Sequence, residues 1–169
     1  MFARIVTDAL YLQVLTTLLR GVWITVFVTV VSFALAALLG LGLAMASVSG
    51  NAWLRQGARA YVEIVRGLPI LVLLLYCAFV LAPGLVSLWN WAGLPEARTR
   101  DFPLLWRAVM ALVLGYGAFI AEVFRAGLLS VPAGQIEAAK ALGLSPWRRF
   151  RLIVLPQALK LMIPGIVNT

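Results

Sequence analysis

Charged side chains fall in clusters along this chain and leave long apolar runs between them. The first uncharged run, Gly21 to Leu54, holds about 34 residues, which as a helix would reach about 51 Å. That exceeds the ~30 Å hydrocarbon core of a bilayer. The pattern therefore predicts a first membrane span over about 22–47, ended by the turn residues Ser49, Gly50 and Asn51. A second uncharged run, Gly67 to Pro95, predicts a helix near Leu68 to Leu81, closed by Pro83 and Gly84, with Trp53 or Tyr61 as earlier starts; begun at Tyr61 it gives a span over about 61–82. The third is shorter and becomes long enough only when extended over about 103–125, with Arg107 snorkelling at one end and Glu122 and Arg125 at the other. A fourth apolar stretch, about 152–169, contains Pro156, Lys160 and Pro164 and reads as an incomplete span. The expected fold is all-α, a single polytopic transmembrane domain over 1–169.

Composition agrees with the pattern. Hydrophobic residues make up 63% of the 169, charged residues 12%, and the mean hydropathy is +1.02. A soluble domain carries about twice that charge. The absence of histidine and the single cysteine, Cys77, leave no zinc spacing, no Cys/His nucleophile pair and no intrachain disulfide. The net charge of +8 does not point to nucleic acid, because no basic stretch is interleaved with aromatic residues that could stack on bases. Basic residues in a membrane protein instead gather in cytoplasmic loops. Placing the 47–67 loop and the region after the third span in the cytoplasm collects Arg55, Arg59, Arg66, Arg125, Lys140, Arg148, Arg149, Arg151 and Lys160 on one side, which puts the N-terminus outside. On the first span, Ala36, Gly40 and Ala44 recur every fourth position and would let another helix approach closely.

The segment over about 130–151 changes character. Pro132 suits a first helical turn, Ala138 to Leu142 are good helix formers, and Gly143 suits a left-handed C-terminal position. Ser145 then serves as an N-cap with Pro146 behind it, opening a second helix that Pro156 must bend or break. A short alanine-rich helix of this kind reads either as a linker on the membrane surface or as a piece narrow enough to enter a cleft on another protein. Arg148, Arg149 and Arg151 oppose the dipole of the second helix, a placement that anionic lipid would explain.

These residues resemble a known pattern. Glu137-Ala138-Ala139, three residues, Gly143, nine residues, then Ile153, Leu155 and Pro156 is similar to the E-A-A-x3-G-x9-I-x-L-P loop of binding-protein-dependent ABC importer permeases. Arg66-Gly67-Leu68-Pro69, Tyr116 with Glu122, Arg125-Ala126-Gly127, Val131 to Gln135 and Leu155-Pro156-Gln157-Ala158 resemble the polar amino-acid branch, of histidine, glutamine, arginine or opine type. The resemblance implies a type I ABC importer permease fold in a bacterial inner membrane and a transport subunit, not an enzyme. It implies a coupling helix, with Gln135, Glu137, Ala138, Ala139, Leu142 and Gly143 as the ATPase-coupling residues and Ile153, Leu155 and Pro156 in the loop after it. The implied partners are a cytoplasmic ABC ATPase dimer, a second permease that is identical or homologous, a periplasmic or extracellular solute-binding protein, an amino-acid substrate and membrane lipid. Since the sequence has no G-x-x-x-x-G-K-[ST] phosphate loop, no cofactor is expected in this chain and ATP is expected on the partner. Members of this branch usually continue through a fifth span, so the resemblance also implies a C-terminally truncated chain.

Arg66, Glu122 and Arg125 read as pathway charges or as interfacial anchors, Glu122 and Arg125 being spaced to pair on one helix face. Two other classes fit less well. An intramembrane enzyme would want paired carboxylates or a Ser/His constellation. A secondary transporter would want ionisable residues at the bilayer centre, where this sequence supplies prolines but no charge.

Overall fold

The computed structural model describes the backbone of residues 2–167 and the side chains of residues 10–167. Among these residues the regular structure is helical throughout, in six helices with a single 3-10 turn at Thr99–Asp101. Four helical runs are long and apolar enough to cross a membrane. The last two residues of the fourth apolar stretch, 168 and 169, lie outside the described residues.

Helix α1 spans Phe2–Ser47 without a break, 46 residues and about 69 Å. The hydropathy pattern starts the first span near Val22 because Arg20 marks a membrane edge. Arginine limits the membrane-embedded part and does not stop a helix, so the backbone continues through it. The C-terminal end falls at Ser47, ahead of the expected turn residues. The expected second span divides in two. Helix α2, Ala52–Arg66, opens on Asn51, whose Oδ1 accepts the Trp53 N–H at 3.0 Å. It buries only Ala58 and Val62. Pro69 disfavours helical backbone at Leu68 and separates α2 from α3, Ile70–Trp91.

Pro83 and Gly84 do not close α3; they lie inside it. A π-helical stretch, Cys77–Leu81, precedes the proline, and the Ala82 N–H donates to the Cys77 carbonyl. The widened turn carries the helix past a residue that has no N–H to give. Helix α4, Leu104–Leu129, is followed by the short α5, Ala133–Ala141, and by α6, Pro146–Val167. Within α6 the same device recurs as a π-helical stretch at Phe150–Val154 ahead of Pro156. The helix that carries the fourth apolar stretch therefore begins at Pro146, ahead of residue 152, and takes in Arg148, Arg149 and Arg151.

Helices α1 and α4 run parallel. Phe27 meets Trp106 edge to face at 6.2 Å, and further along both chains Gly40 lies against Gly117 and Ala121. A methyl group added at Gly40 would sit 2.9 Å from Ile120 Cγ2 and 3.0 Å from the Gly117 carbonyl oxygen. With Ala36 and Ala44 buried on either side, the four-residue spacing of small side chains is what admits α4 so closely. Helix α6 runs antiparallel to α4, with Gly127 against Met162 and Gly165 against Val123. Helix α3 is also antiparallel to α4, packing Ile70 and Leu73 at Gly115 and its π-helical stretch near Arg107. The alternation sets the N-terminal end of α1 and the short helix α5 at opposite ends of the bundle.

Candidate functional site

Helix α5 is closed by its own backbone. The Leu144 N–H donates to the Ala139 carbonyl at 3.1 Å and the Gly143 N–H to Lys140 at 2.9 Å, the pair of bonds of a Schellman motif. Gly143 takes φ of 68°, the left-handed conformation expected of it and cheap only for glycine. Pro132 stands at the N-cap of α5, and Ser145 caps α6, its side chain accepting from the Arg148 N–H at 3.4 Å. The link between the two helices is thus a short, defined turn.

The faces of α5 are unequal. Ala139 is 1% exposed and turns inward, whereas Gln135, Glu137 and Ala138 face outward and Leu142 is 79% exposed. Trp147, stacked on Phe150 at 5.8 Å, adds a second exposed apolar side chain at this end. The outward face thus combines a small alanine with one large apolar residue. Ala139 belongs to the seat of α5 on its own chain.

Ile153 lies in the π-helical stretch of α6, with Leu155 and Pro156 directly after it. Gln157 follows, and its Nε2 donates both to the Ile153 carbonyl at 3.1 Å and to Gln135 Oε1 on α5. The sequence pattern alone gives Gln157 no role, because a residue separation of this length carries no local signal.

Near the same end, Arg66, Glu122 and Arg125 line one cavity of about 360 Å³. The fold adds Arg59 and Glu63 from α2 and the buried Ser47 from α1, which no spacing in the sequence groups with them. Arg125 donates through Nε to Glu122 Oε2 at 3.0 Å and through Nη2 to Oε1, so the expected pair forms and is bidentate. The Arg66 guanidinium lies 5.3 Å over the Phe119 ring. Three guanidinium groups thus face two carboxylates. At the deeper side of α2, the Tyr61 hydroxyl donates to the Leu114 carbonyl at 3.0 Å and ties α2 across to α4.

With this arrangement in place, comparison with known proteins decides the family. The model of the binding-protein-dependent transport system inner membrane component matches residues 37–169. The chain belongs to that family. The octopine transport system permease protein OccM of Rhizobium radiobacter is 41% identical over 158 residues, covering 92% of this chain and 62% of that protein. The glutamate/aspartate import permease protein GltK of Escherichia coli O157:H7 is 36% identical over 151 residues, 89% of this chain and 65% of that one. The crystal structure of an amino acid ABC transporter with histidines superposes with a TM-score of 0.66 at 30% identity over 85% of this chain and 61% of that one. An inward-facing form of the MetNI methionine ABC transporter gives a TM-score of 0.66 at 28% identity over 89% of this chain and 67% of that one. This permease chain has the type I fold, and it spans a little over three fifths of the length of OccM.

Proposed function

We propose that this permease forms part of the translocation pathway of an ATP-driven importer of polar amino acids or opines and receives its energy mechanically through α5. The observation that carries the reading is the outward face of α5, small at Ala138 and apolar at Leu142, held at the end of the bundle away from the N-terminus. Small side chains let such a helix enter a cleft, and the Gly143 turn fixes how far it projects. The relatives supply the substrate class, being named for octopine and for glutamate and aspartate. ATP is held by a separate cytoplasmic ATPase dimer, the substrate is delivered by a solute-binding protein, and a second permease completes the pathway. The end bearing α5 is cytoplasmic and the N-terminus lies outside, the orientation that also places most basic residues inside.

The test is uptake by proteoliposomes holding the permease with its ATPase and binding protein. Labelled octopine, glutamate and glutamine are offered with and without internal ATP. The reading requires uptake of at least one of them that stops when the ATPase or ATP is withheld. Uptake that persists without the ATPase and follows an imposed ion gradient would make the protein a secondary transporter instead.

A further inference from the structure

We infer that the Gln135–Gln157 amide pair is the link that carries displacement of the coupling helix into the membrane-spanning helix α6. The inference rests on the proposed role of α5 as the coupling helix and adds how its movement leaves it.

Helix α5 has few ties to the rest of the chain. Ala139 is its buried residue, and its C-terminus is the closed turn at Gly143. That turn joins α5 to α6 at one end only, and a second contact is needed for the first turn of α5 to move with α6. Gln157 supplies that contact from the far side of the π-helical stretch. Both hydrogens of its Nε2 are used: one holds the Ile153 carbonyl inside the widened turn at 3.1 Å, the other holds Gln135 Oε1 at the first turn of α5. Gln135 is itself fixed by its N–H to the Pro132 carbonyl at 3.0 Å.

One side chain therefore reads the position of α5 and the geometry of the π-helical stretch together. Phe150–Val154 is the part of α6 best able to change shape, since π-helical turns are isolated departures from the α-helix and Pro156 already interrupts its hydrogen-bond ladder. Movement at Gln135 pulls on the amide that holds the Ile153 carbonyl, and α6 beyond Pro156 follows. Met162 and Ala158 on that part of α6 pack at Gly127 of α4, so the movement reaches the span that ends beside the charged cavity. Gln157 is a positioning residue in this account and touches no substrate.

The experiment uses the full transporter with its ATPase and binding protein, reading substrate moved per ATP hydrolysed beside ATPase co-purification and the thermal midpoint. Gln157→Leu is expected to lower substrate moved per ATP about fivefold or more while ATPase co-purification is unchanged. Gln135→Leu with Gln157→Leu is expected to lose no more than the worse single variant, as for two residues acting as one unit. Gln157→Glu with Gln135→Glu is expected to be defective, since two carboxylates repel, and Gln157→Lys with Gln135→Glu to recover, because the opposite charges restore the link. That rescue decides the matter even if Gln157→Leu folds poorly. Normal substrate per ATP in Gln157→Leu, fully additive losses in the double variant, or no recovery by the charged pair would overturn the link. A wild-type transporter without ATP-dependent uptake would overturn the coupling role itself, which is a separate result.

Discussion

Two helices of this permease pass a proline by the same route, and the two passages are secured differently. In α3 the π-helical stretch Cys77–Leu81 precedes Pro83 and is buried on one face, with Cys77 and Ala82 fully covered while Phe79 and Val80 stay exposed. Since Ala82 donates to Cys77 and Pro83 has no N–H, the Ala78 carbonyl loses its helical partner, and Arg107 Nη1 takes it at 3.1 Å. The same guanidinium holds the Phe102 carbonyl through Nε at 2.9 Å and the Thr99 carbonyl through Nη2. In α6 the stretch Phe150–Val154 precedes Pro156, buries no residue, and is held by one neutral amide that also reaches α5. A charged donor with three carbonyls makes a fixed joint. A neutral amide shared with a short, exposed helix makes a joint that can move. On the proposed coupling role of α5, the α6 joint is the place where work would enter the bundle.

Substitutions at the two ends should separate stability from coupling. The largest stability loss is expected from Arg107→Ala, which strips three carbonyls of their donor and costs about 3 kcal/mol or more. The thermal midpoint of the purified transporter in detergent should fall, Arg107→Lys should fail to restore it because lysine lacks the planar fork, and the ATPase should still co-purify with the folded fraction. A midpoint unchanged in Arg107→Ala would remove the α3 half of the comparison. Gly143→Val should do the reverse. Its left-handed backbone costs a β-branched residue about 1–2 kcal/mol, a smaller fall in midpoint, while ATPase association is lost because α5 no longer projects at its angle. Retained ATPase association in Gly143→Val would mean that the turn does not set the docking geometry.

Much of this architecture is legible in the amino-acid sequence, and the gaps have physical causes. Gly143, Ser145 and the 36-40-44 stripe can be read because caps and close helix approach demand particular residue types at fixed spacing. The end of α1 at Ser47 is legible too, but its start and the end of α3 are not, because hydrophobicity reports the membrane and a helix can continue beyond it or through a proline. Hydropathy sends Arg107 snorkelling toward a headgroup, whereas it is folded back onto the Phe102 and Thr99 carbonyls and onto the Ala78 carbonyl that the π-helical stretch makes available. The motif groups Ala139 with Ala138 as a docking residue. The 100° turn between successive helical positions sends one inward and the other outward, and an isolated nine-residue alanine-rich helix has too weak a polar pattern to say which. The charged cavity is half visible: the Glu122–Arg125 spacing is local, but the approach of Arg59 and Glu63 depends on how α2 crosses α4.

The central claim is that the outward face of α5 is the ATPase-docking face, and it can be tested at Ala138. In a Cys77→Ser background of the full transporter, Ala138→Cys is labelled with a maleimide in the absence and in the presence of the ATPase. The account predicts ready labelling of the permease alone, as befits an exposed position, and a fall in rate of about tenfold once the ATPase is bound. Equal labelling rates with and without a bound ATPase would contradict it.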